Sequence, residues 1–125
     1  MRYVLFALAV FFVSPAAAED ALNLEPIYVG APTRDRHIAA CLDAATAQRV
    51  LVEQQERGAD SAQKMFVATG VCFVMQADFV ALRLVAEVDM GTHKVRIVEV
   101  GSLTSPDAPH LFVLTESPLL DGITA

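Results

Sequence analysis

The clearest alternation of apolar and polar positions lies between residues 79 and 100. The segments FVALRLVAEV (79–88) and KVRIVEV (94–100) flank Met90-Gly91, as expected for two half-buried strands joined by a turn. A two-residue loop pairs Glu87 with Lys94, whereas a slip of one residue would mix the two faces. The pattern therefore predicts an antiparallel hairpin with Arg83, Glu87, Lys94 and Arg96 on its wet face and an apolar core face made of Leu82, Leu84, Ala86, Val88, Val95 and Ile97.

Two helices are predicted before this hairpin. Asp43 is a favourable N-cap, strong helix formers follow it through Arg57, and Gly58 supplies a stop. A second start at residues 60–63 (DSAQ) is close to a capping box, and Gly70 would end that helix. The chain from 43 to 70 is therefore expected to form a short helical hairpin.

Short apolar runs predict the remaining strands. The runs VCFVM (71–75) and LFVLT (111–115) are typical of buried strands, while HIAACL (37–42) fits either a strand or a leading helical turn. The prolines and glycine between residues 26 and 32 favour an extended chain there. We expect an α+β fold, with a small antiparallel sheet of three to five strands and a short helical hairpin. The expected globular domain is 37–117, with an extended segment at 19–36 and a loose tail at 118–125.

The first eighteen residues, MRYVLFALAVFFVSPAAA, have the three regions of a signal peptide. Arg2 is basic, an apolar run of eleven residues follows it, and three alanines precede the acidic Glu19. As a helix the apolar run spans about 16 Å, too short for about 30 Å of bilayer hydrocarbon. We therefore expect cleavage after Ala18, and a protein that is periplasmic or secreted with no membrane span in the mature chain.

The expected mature chain of 107 residues is acidic. Once Arg2 is removed, eight basic residues stand against fifteen acidic ones, so the net charge is −7. A negative surface repels phosphate backbones, so nucleic acid is a poor partner. Neither a glycine-rich phosphate loop nor a cofactor motif is present, and no cofactor is predicted.

Cys41 and Cys72 are the only cysteines, and both survive the predicted cleavage. In an oxidising compartment an even pair indicates a disulfide, and their separation is unlike the C-x-x-C spacing of catalytic dithiols. Closing a loop of about 30 residues contributes roughly 3 to 4 kcal/mol in the chain-entropy model. The bridge is expected to clamp both ends of the helical hairpin.

Few residues stand out as site candidates. Arg34, Arg36 and His37 form the one basic spot, which suits an anion or an acidic partner, although Asp35 compensates part of its charge. The histidines at 37, 93 and 110 match no metal-binding spacing. The hairpin register places Glu99 opposite Leu82 on the apolar face, where burial would raise the pKa of its carboxyl.

Two functional hypotheses are developed, and a structural role in the envelope stays open beside them, although the sequence contains neither repeats nor a recognisable peptidoglycan anchor. The first is a small exported, non-enzymatic binding or interaction protein, of accessory or inhibitor type, whose partner is a protein or small ligand of the envelope. The second is a small periplasmic hydrolase whose site is assembled from dispersed Asp, Glu and His side chains. A deep pocket with convergent acids or histidines would favour the enzyme, and a flat apolar patch or an open strand edge without a pocket would favour the binding protein.

Overall fold

The computed structural model describes residues 25–121. The predicted signal peptide (1–18), its cleavage site after Ala18, residues 19–24 and residues 122–125 lie outside this range. None of the helices between residues 25 and 121 is both long and apolar enough to span a bilayer.

Two helices and six strands make up the described chain. Their bounds are β1 (Ile27–Val29), β2 (Pro32–Cys41), α1 (Ala44–Arg57), α2 (Ala59–Ala68), β3 (Cys72–Asp89), β4 (Lys94–Ser102), β5 (Leu111–Thr115) and β6 (Leu119–Asp121).

The helical hairpin is confirmed. The carboxylate of Asp43 accepts a hydrogen bond from the amide of Thr46 at 2.7 Å, so Asp43 caps α1 as predicted. Gly58 ends α1 with a positive φ of 96° and is also the N-cap of α2. The second helix therefore begins one residue before the predicted start at Asp60, and a single residue separates the two helices.

The sheet is larger than predicted, and it is mixed rather than wholly antiparallel. Its six strands lie in the order β2-β5-β4-β3-β1-β6, and β1 runs parallel to both β3 and β6. The short strands β1 and β6 carry no alternation long enough to reveal them. The sequence predicts separate strands at 71–75 and 79–88, but these two runs form one continuous strand, β3. Residues 119–121, expected in a loose tail, instead form β6.

The strand pairings close into a ring. The first half of β3 pairs with β2 and its second half with β4, while β5 pairs with both β4 and β2. Val80 lies where the halves meet, and it pairs with Pro32 of β2 and with Gly101 of β4. A strand of 18 residues is long enough to serve two neighbours in succession, and this length makes the closure possible.

Two apolar clusters lie on opposite faces of the ring strands. One joins the sheet to α1 and α2, and the fully buried Phe66 of α2 belongs to it. The other cluster contains side chains from one face of all four ring strands and fills the inside of the ring. Its members are Ile38, Ala40, Phe79, Ala81, Val98, Val100 and Val113, together with Ile27 of β1. Because side chains alternate along a strand, the neighbours Ile97 and Val98 are both buried, one in each cluster.

The β3–β4 hairpin is confirmed, but its predicted register is wrong near the turn. Lys94 pairs with Asp89 instead of Glu87, so the connection has four residues, closed by a hydrogen bond from Met90 N to His93 O at 2.8 Å. A shift of two residues keeps every side chain on its face. Glu87 still reaches Lys94, with 3.7 Å between Oε1 and Nζ, although its direct partner is Arg96.

Two β-bulges then change the predicted apolar face. Register shifts fall between Ala81 and Arg83 and between Leu84 and Ala86. Each bulge adds one residue to β3, and the two together restore the predicted register at the far end, where Ala81 pairs with Val100. Leu82 and Leu84 were predicted in the core, but both are exposed: Leu82 is the extra residue of the first bulge, and Leu84 directly precedes the second.

The predicted disulfide between Cys41 and Cys72 is present. The two residues are directly opposite each other at the end of β2 and the start of β3. Both helices lie in the intervening chain, so the bridge fixes the two ends of the helical hairpin to neighbouring strands.

Candidate functional site

An apolar pocket opens at the end of the ring where β4 ends and β5 begins; we call it the end pocket. Its volume is about 240 Å³. Ten of its twelve lining residues are apolar, and the other two are Asp78 and Ser102. The lining comes from the four ring strands, from Leu42 just after β2, and from the loop before β5: Ile38, Leu42, Met75, Ala77, Asp78, Phe79, Val100, Gly101, Ser102, Ala108, Pro109 and Leu111.

The alternation of β2 and β3 explains why this pocket is apolar. Ile38 pairs with Met75, and both face the inside of the ring. Leu42 continues the same face beyond the end of β2. Small residues of the lining, Ala77 and Ala108 among them, leave room beside these larger side chains. Leu42 is consequently 49% exposed and Met75 is 37% exposed, although the inside of the ring is closed to solvent next to them.

Asp78 is the one charged residue in the pocket lining. Its Oδ1 accepts a hydrogen bond from the backbone amide of Asp35 at 2.7 Å. Asp35 belongs to a bulge in β2 between Thr33 and Arg36 and has a φ of 52°, in the left-handed region. This bond fixes the carboxylate at the rim of the pocket. Among the described residues Asp78 forms no ion pair.

The basic spot of Arg34, Arg36 and His37 does not form one cluster of free cations. Arg36 is half-buried, and its Nη2 donates to Glu25 O at 2.6 Å and to Ser117 Oγ at 2.8 Å. It therefore ties β2 to the chain before β1 and to the chain before β6. Arg34 and His37 are exposed on either side of it. The proposed role of these three residues in anion binding stays a prediction.

Glu99 contacts two basic side chains, Arg83 and His110, and we call these three residues the charged junction. Its Oε1 is 2.6 Å from Nε of Arg83, and its Oε2 is 2.6 Å from Nδ1 of His110. Arg83, rather than the predicted Leu82, lies opposite Glu99, because the extra residue of the bulge is Leu82 itself. His110 lies against Gly101, so the loop before β5 is held to β4 next to the end pocket.

The pKa of the Glu99 carboxyl is lowered, contrary to the rise expected from burial. The hydrogen bond from His110 is the largest cause, and the charge and hydrogen bond of Arg83 act in the same direction. Burial raises the pKa, but the contacts outweigh it. Although only 16% of the side chain is exposed, Glu99 is therefore held as a carboxylate.

The three histidines lie in different parts of the described chain. His37 is on β2, His93 is in the β3–β4 turn, and His110 precedes β5. His93 approaches the buried Glu116, with 3.8 Å between Nε2 and Oε2. Within residues 25–121 no three His, Cys, Asp or Glu side chains are arranged to hold a metal ion.

Three other grooves on the described surface are shallower or more polar. One lies between the helices and contains Asp43 and Arg49, a second runs along α2, and the third lies beside β6 and contains Glu87 and Arg96. In the third groove, Arg96 Nε is 2.9 Å from Oε2 of Glu87, so its two central charges neutralise each other.

The end pocket could not be identified from the candidate residues. Its lining comes from four separate segments, and only the strand pairings bring them together. One local signal is the run Ile38, Ala40, Leu42, whose alternation continues past the end of β2 and leaves Leu42 without a covering strand. A second signal is the loop 103–110, whose two prolines bring it back across the end of the ring.

Comparison of the chain with protein-family models, curated proteins and solved structures finds no match. Its function is therefore inferred from two features of the described residues. These are the end pocket and the charged junction of Arg83, Glu99 and His110.

Proposed function

We propose that this chain is a small exported, non-enzymatic binding protein that holds one apolar side chain of a partner polypeptide in the end pocket. The apolar lining of that pocket is the observation that carries the proposal. A cavity of about 150 Å³ is large enough for benzene, so 240 Å³ suits a single aromatic or branched side chain. It is smaller than the roughly 300 to 1,000 Å³ of most small-molecule sites.

Leu42 and Met75 would supply much of the binding energy. Their exposed fractions, 49% and 37%, are high for large apolar residues at the edge of a core. Burying the remaining half of such a side chain contributes about 1 kcal/mol by area. The lining is otherwise preformed by strands, so little conformational entropy is lost on binding.

The chemistry around the pocket supports binding rather than catalysis. No histidine lines any of the four described grooves, and the end pocket contains a single carboxylate. General acid–base catalysis needs a titratable group within hydrogen-bond reach of the reacting atom. The Cys41–Cys72 disulfide fits a protein that works in an oxidising compartment.

The methionines provide a direct test. Met65, Met75 and Met90 are distributed over α2, the end pocket and the hairpin turn, so ¹³C-methyl labelling of methionine gives one reporter and two internal controls. The probe is the neutral dipeptide acetyl-Phe-Gln-amide, with acetyl-Ser-Gln-amide as the control lacking the ring. We expect the phenylalanine peptide alone to shift the Met75 methyl, with a Kd in the millimolar range.

A filled pocket should remove this response. The Ala77→Leu variant adds apolar volume to the lining and leaves its charge unchanged. It should keep the fold, judged by unaltered Met65 and Met90 signals, and abolish the shift of Met75. Equal shifts of all three methyls, or no shift of Met75 with the wild-type chain, would contradict the proposal.

One observation favours the hydrolase as a second candidate. Glu99 holds Nδ1 of His110 at 2.6 Å, as a carboxylate orients a catalytic histidine. Among the described residues no serine, threonine or cysteine side chain is hydrogen-bonded to His110, and Ser102 Oγ instead accepts from the amides of Thr104 and Ser105. Hydrolysis of a chromogenic ester that is lost in His110→Ala and retained in His37→Ala would support it, and equal rates in all three chains would reject it.

A further inference from the structure

We infer that the partner segment carries a positive charge next to the apolar side chain that enters the end pocket, and that Asp78 is the counter-ion for this charge. This inference rests on the proposed function. It narrows the partner from any apolar polypeptide to one with a lysine or arginine beside the inserted residue.

Asp78 lies where it can contact a positive charge next to the inserted side chain. It is the one charged residue among the twelve that line the pocket. Only one of its oxygens is hydrogen-bonded, because Oδ1 accepts from the amide of Asp35 at 2.7 Å and Oδ2 has no hydrogen bond or ion pair with a described residue. Because this hydrogen bond already fixes the carboxylate at the rim of the pocket, a cation that binds its second oxygen causes little further loss of side-chain entropy.

The charges around Asp78 are the second argument. The bulge opposite it contains Asp35 and Arg34, and the loop that covers the pocket contains Asp107. All three are exposed, and Arg34 forms no ion pair with a described residue. The other basic side chains of these segments have acidic neighbours of their own, since Arg36 contacts Glu25 and His110 contacts Glu99. Asp35 and Asp107 therefore add to the charge of Asp78 against Arg34, so the local potential at the rim favours a cation.

The charge of the whole chain acts in the same direction. The expected mature chain contains eight basic and fifteen acidic residues. A net negative charge attracts a cationic partner over a distance of about 8 to 10 Å at physiological ionic strength. Repulsion of an acidic partner adds to specificity as much as the contact itself.

Three dipeptides test the inference with the Met75 methyl as reporter. Acetyl-Phe-Lys-amide, acetyl-Phe-Gln-amide and acetyl-Phe-Glu-amide present the same ring beside a positive, neutral or negative side chain. We expect the lysine peptide to bind about two- to five-fold more tightly than the glutamine peptide, as for an exposed ion pair, and the glutamate peptide to bind more weakly than either. High salt should reduce the difference.

Variants separate Asp78 from the general charge. The Asp78→Asn variant keeps an oxygen that can accept from Asp35 N, and it should bind the lysine and glutamine peptides equally. The Asp107→Asn variant makes the same charge change in the loop and should retain most of the preference. Arg34→Gln should increase the preference, because it removes the one cation at the bulge.

Each outcome has a distinct meaning. Equal binding of all three peptides by the wild-type chain would overturn the role of Asp78 and leave the proposed function standing. Failure of every peptide to shift Met75 would overturn both. A Met75 shift that depends on protein concentration without peptide would show that a second copy fills the pocket. Magnetisation transfer between Met75 and residues 19–24 or 122–125 would show that the chain fills it itself, and either result would overturn the inference.

Discussion

Glu99 shows how the neighbours of one side chain decide its charge. Burial alone would raise the pKa of its carboxyl, yet the hydrogen bond from His110 and the charge of Arg83 lower it. A group whose pKa is lowered by folding stabilises the fold above its unfolded pKa, which is about 4.5, and this stabilisation is lost as the pH falls through the folded value. Glu99 therefore stabilises the fold at neutral pH, and this stabilisation is lost in acid.

A Glu99→Gln variant tests this pH dependence. At pH 7 it should lower the free energy of unfolding by about 1 kcal/mol, since it replaces charge-assisted hydrogen bonds by neutral ones. The loss should shrink as the pH falls below the pKa, because both chains then carry a neutral group. Urea unfolding at pH 7 and pH 3 measures this loss of unfolding free energy, and Asp107→Asn serves as the control at an exposed position. A loss that stays constant or grows in acid would contradict the assignment.

At the residue scale the candidate site was only partly predictable. Glu99 was identified from its place in an alternating strand, but its partners depend on a bulge at Leu82 and on a loop that returns from residue 110. A bulge of this kind cannot be detected in an alternating pattern, because the extra residue is itself apolar and the alternation continues beyond it. Asp78 carried no signal at all, since its environment arises from the pairing of β2 with β3.

Among the elements, the helices were predictable because their signals are local. Asp43 caps its own first turn, and Gly58 adopts the positive φ that ends the helix. The mixed sheet was not predictable from the same kind of signal. Its closure depends on contacts between β2, β3 and β5, which are far apart in the chain, and β1 and β6 have only three residues each.

The bulge in β3 gives a prediction at the scale of the element. Deleting Leu82 should leave Ala81 opposite Val100 and Arg83 opposite Glu99, and so remove the first of the two bulges while the one between Leu84 and Ala86 stays. Because Leu82 is 40% exposed, the free energy of unfolding should fall by about 1 kcal/mol. The position of the fluorescence or circular dichroism transition in urea measures this change.

Deleting Val80 is the matched control. Val80 has regular partners on both sides, so its removal must break the pairing with β2 or with β4. The loss should be several kcal/mol, because a shift of one residue turns the core side chains outwards. Equal losses in the two deletion variants would show that Leu82 is not an independent bulge.

The disulfide gives the second prediction for the elements. Reduction, or replacement of Cys41 and Cys72 by alanine, should lower the free energy of unfolding by about 3 kcal/mol for the closed loop. Urea titrations with and without reductant measure this loss, and the double alanine variant should not respond to reductant. An unchanged transition in the reduced wild-type chain would mean that the bridge does not stabilise the ring.

For the whole molecule, export remains a prediction. The protein recovered from the periplasm or medium should begin at Glu19, because Ala16 and Ala18 are the small residues that signal peptidase requires. Its intact mass should also be about two daltons below that of the reduced chain. Replacing Ala18 with arginine should leave residues 1–18 attached, while the same change at Ala21 should not. A processed Ala18→Arg chain would place the cleavage elsewhere.

The closed ring divides the molecule into parts that should open separately. At Phe79 and Val80, β3 has partners on both sides, so β2, β3 and β4 cannot separate without breaking pairs at this point. The helices contact only the outer face of the ring and carry no strand pairing. Amide hydrogens of α1 and α2 should therefore exchange with deuterium through local detachment, and those at the centre of β3 only when the whole chain unfolds. A partner in the end pocket would then be bound to the slowest-opening part of the protein.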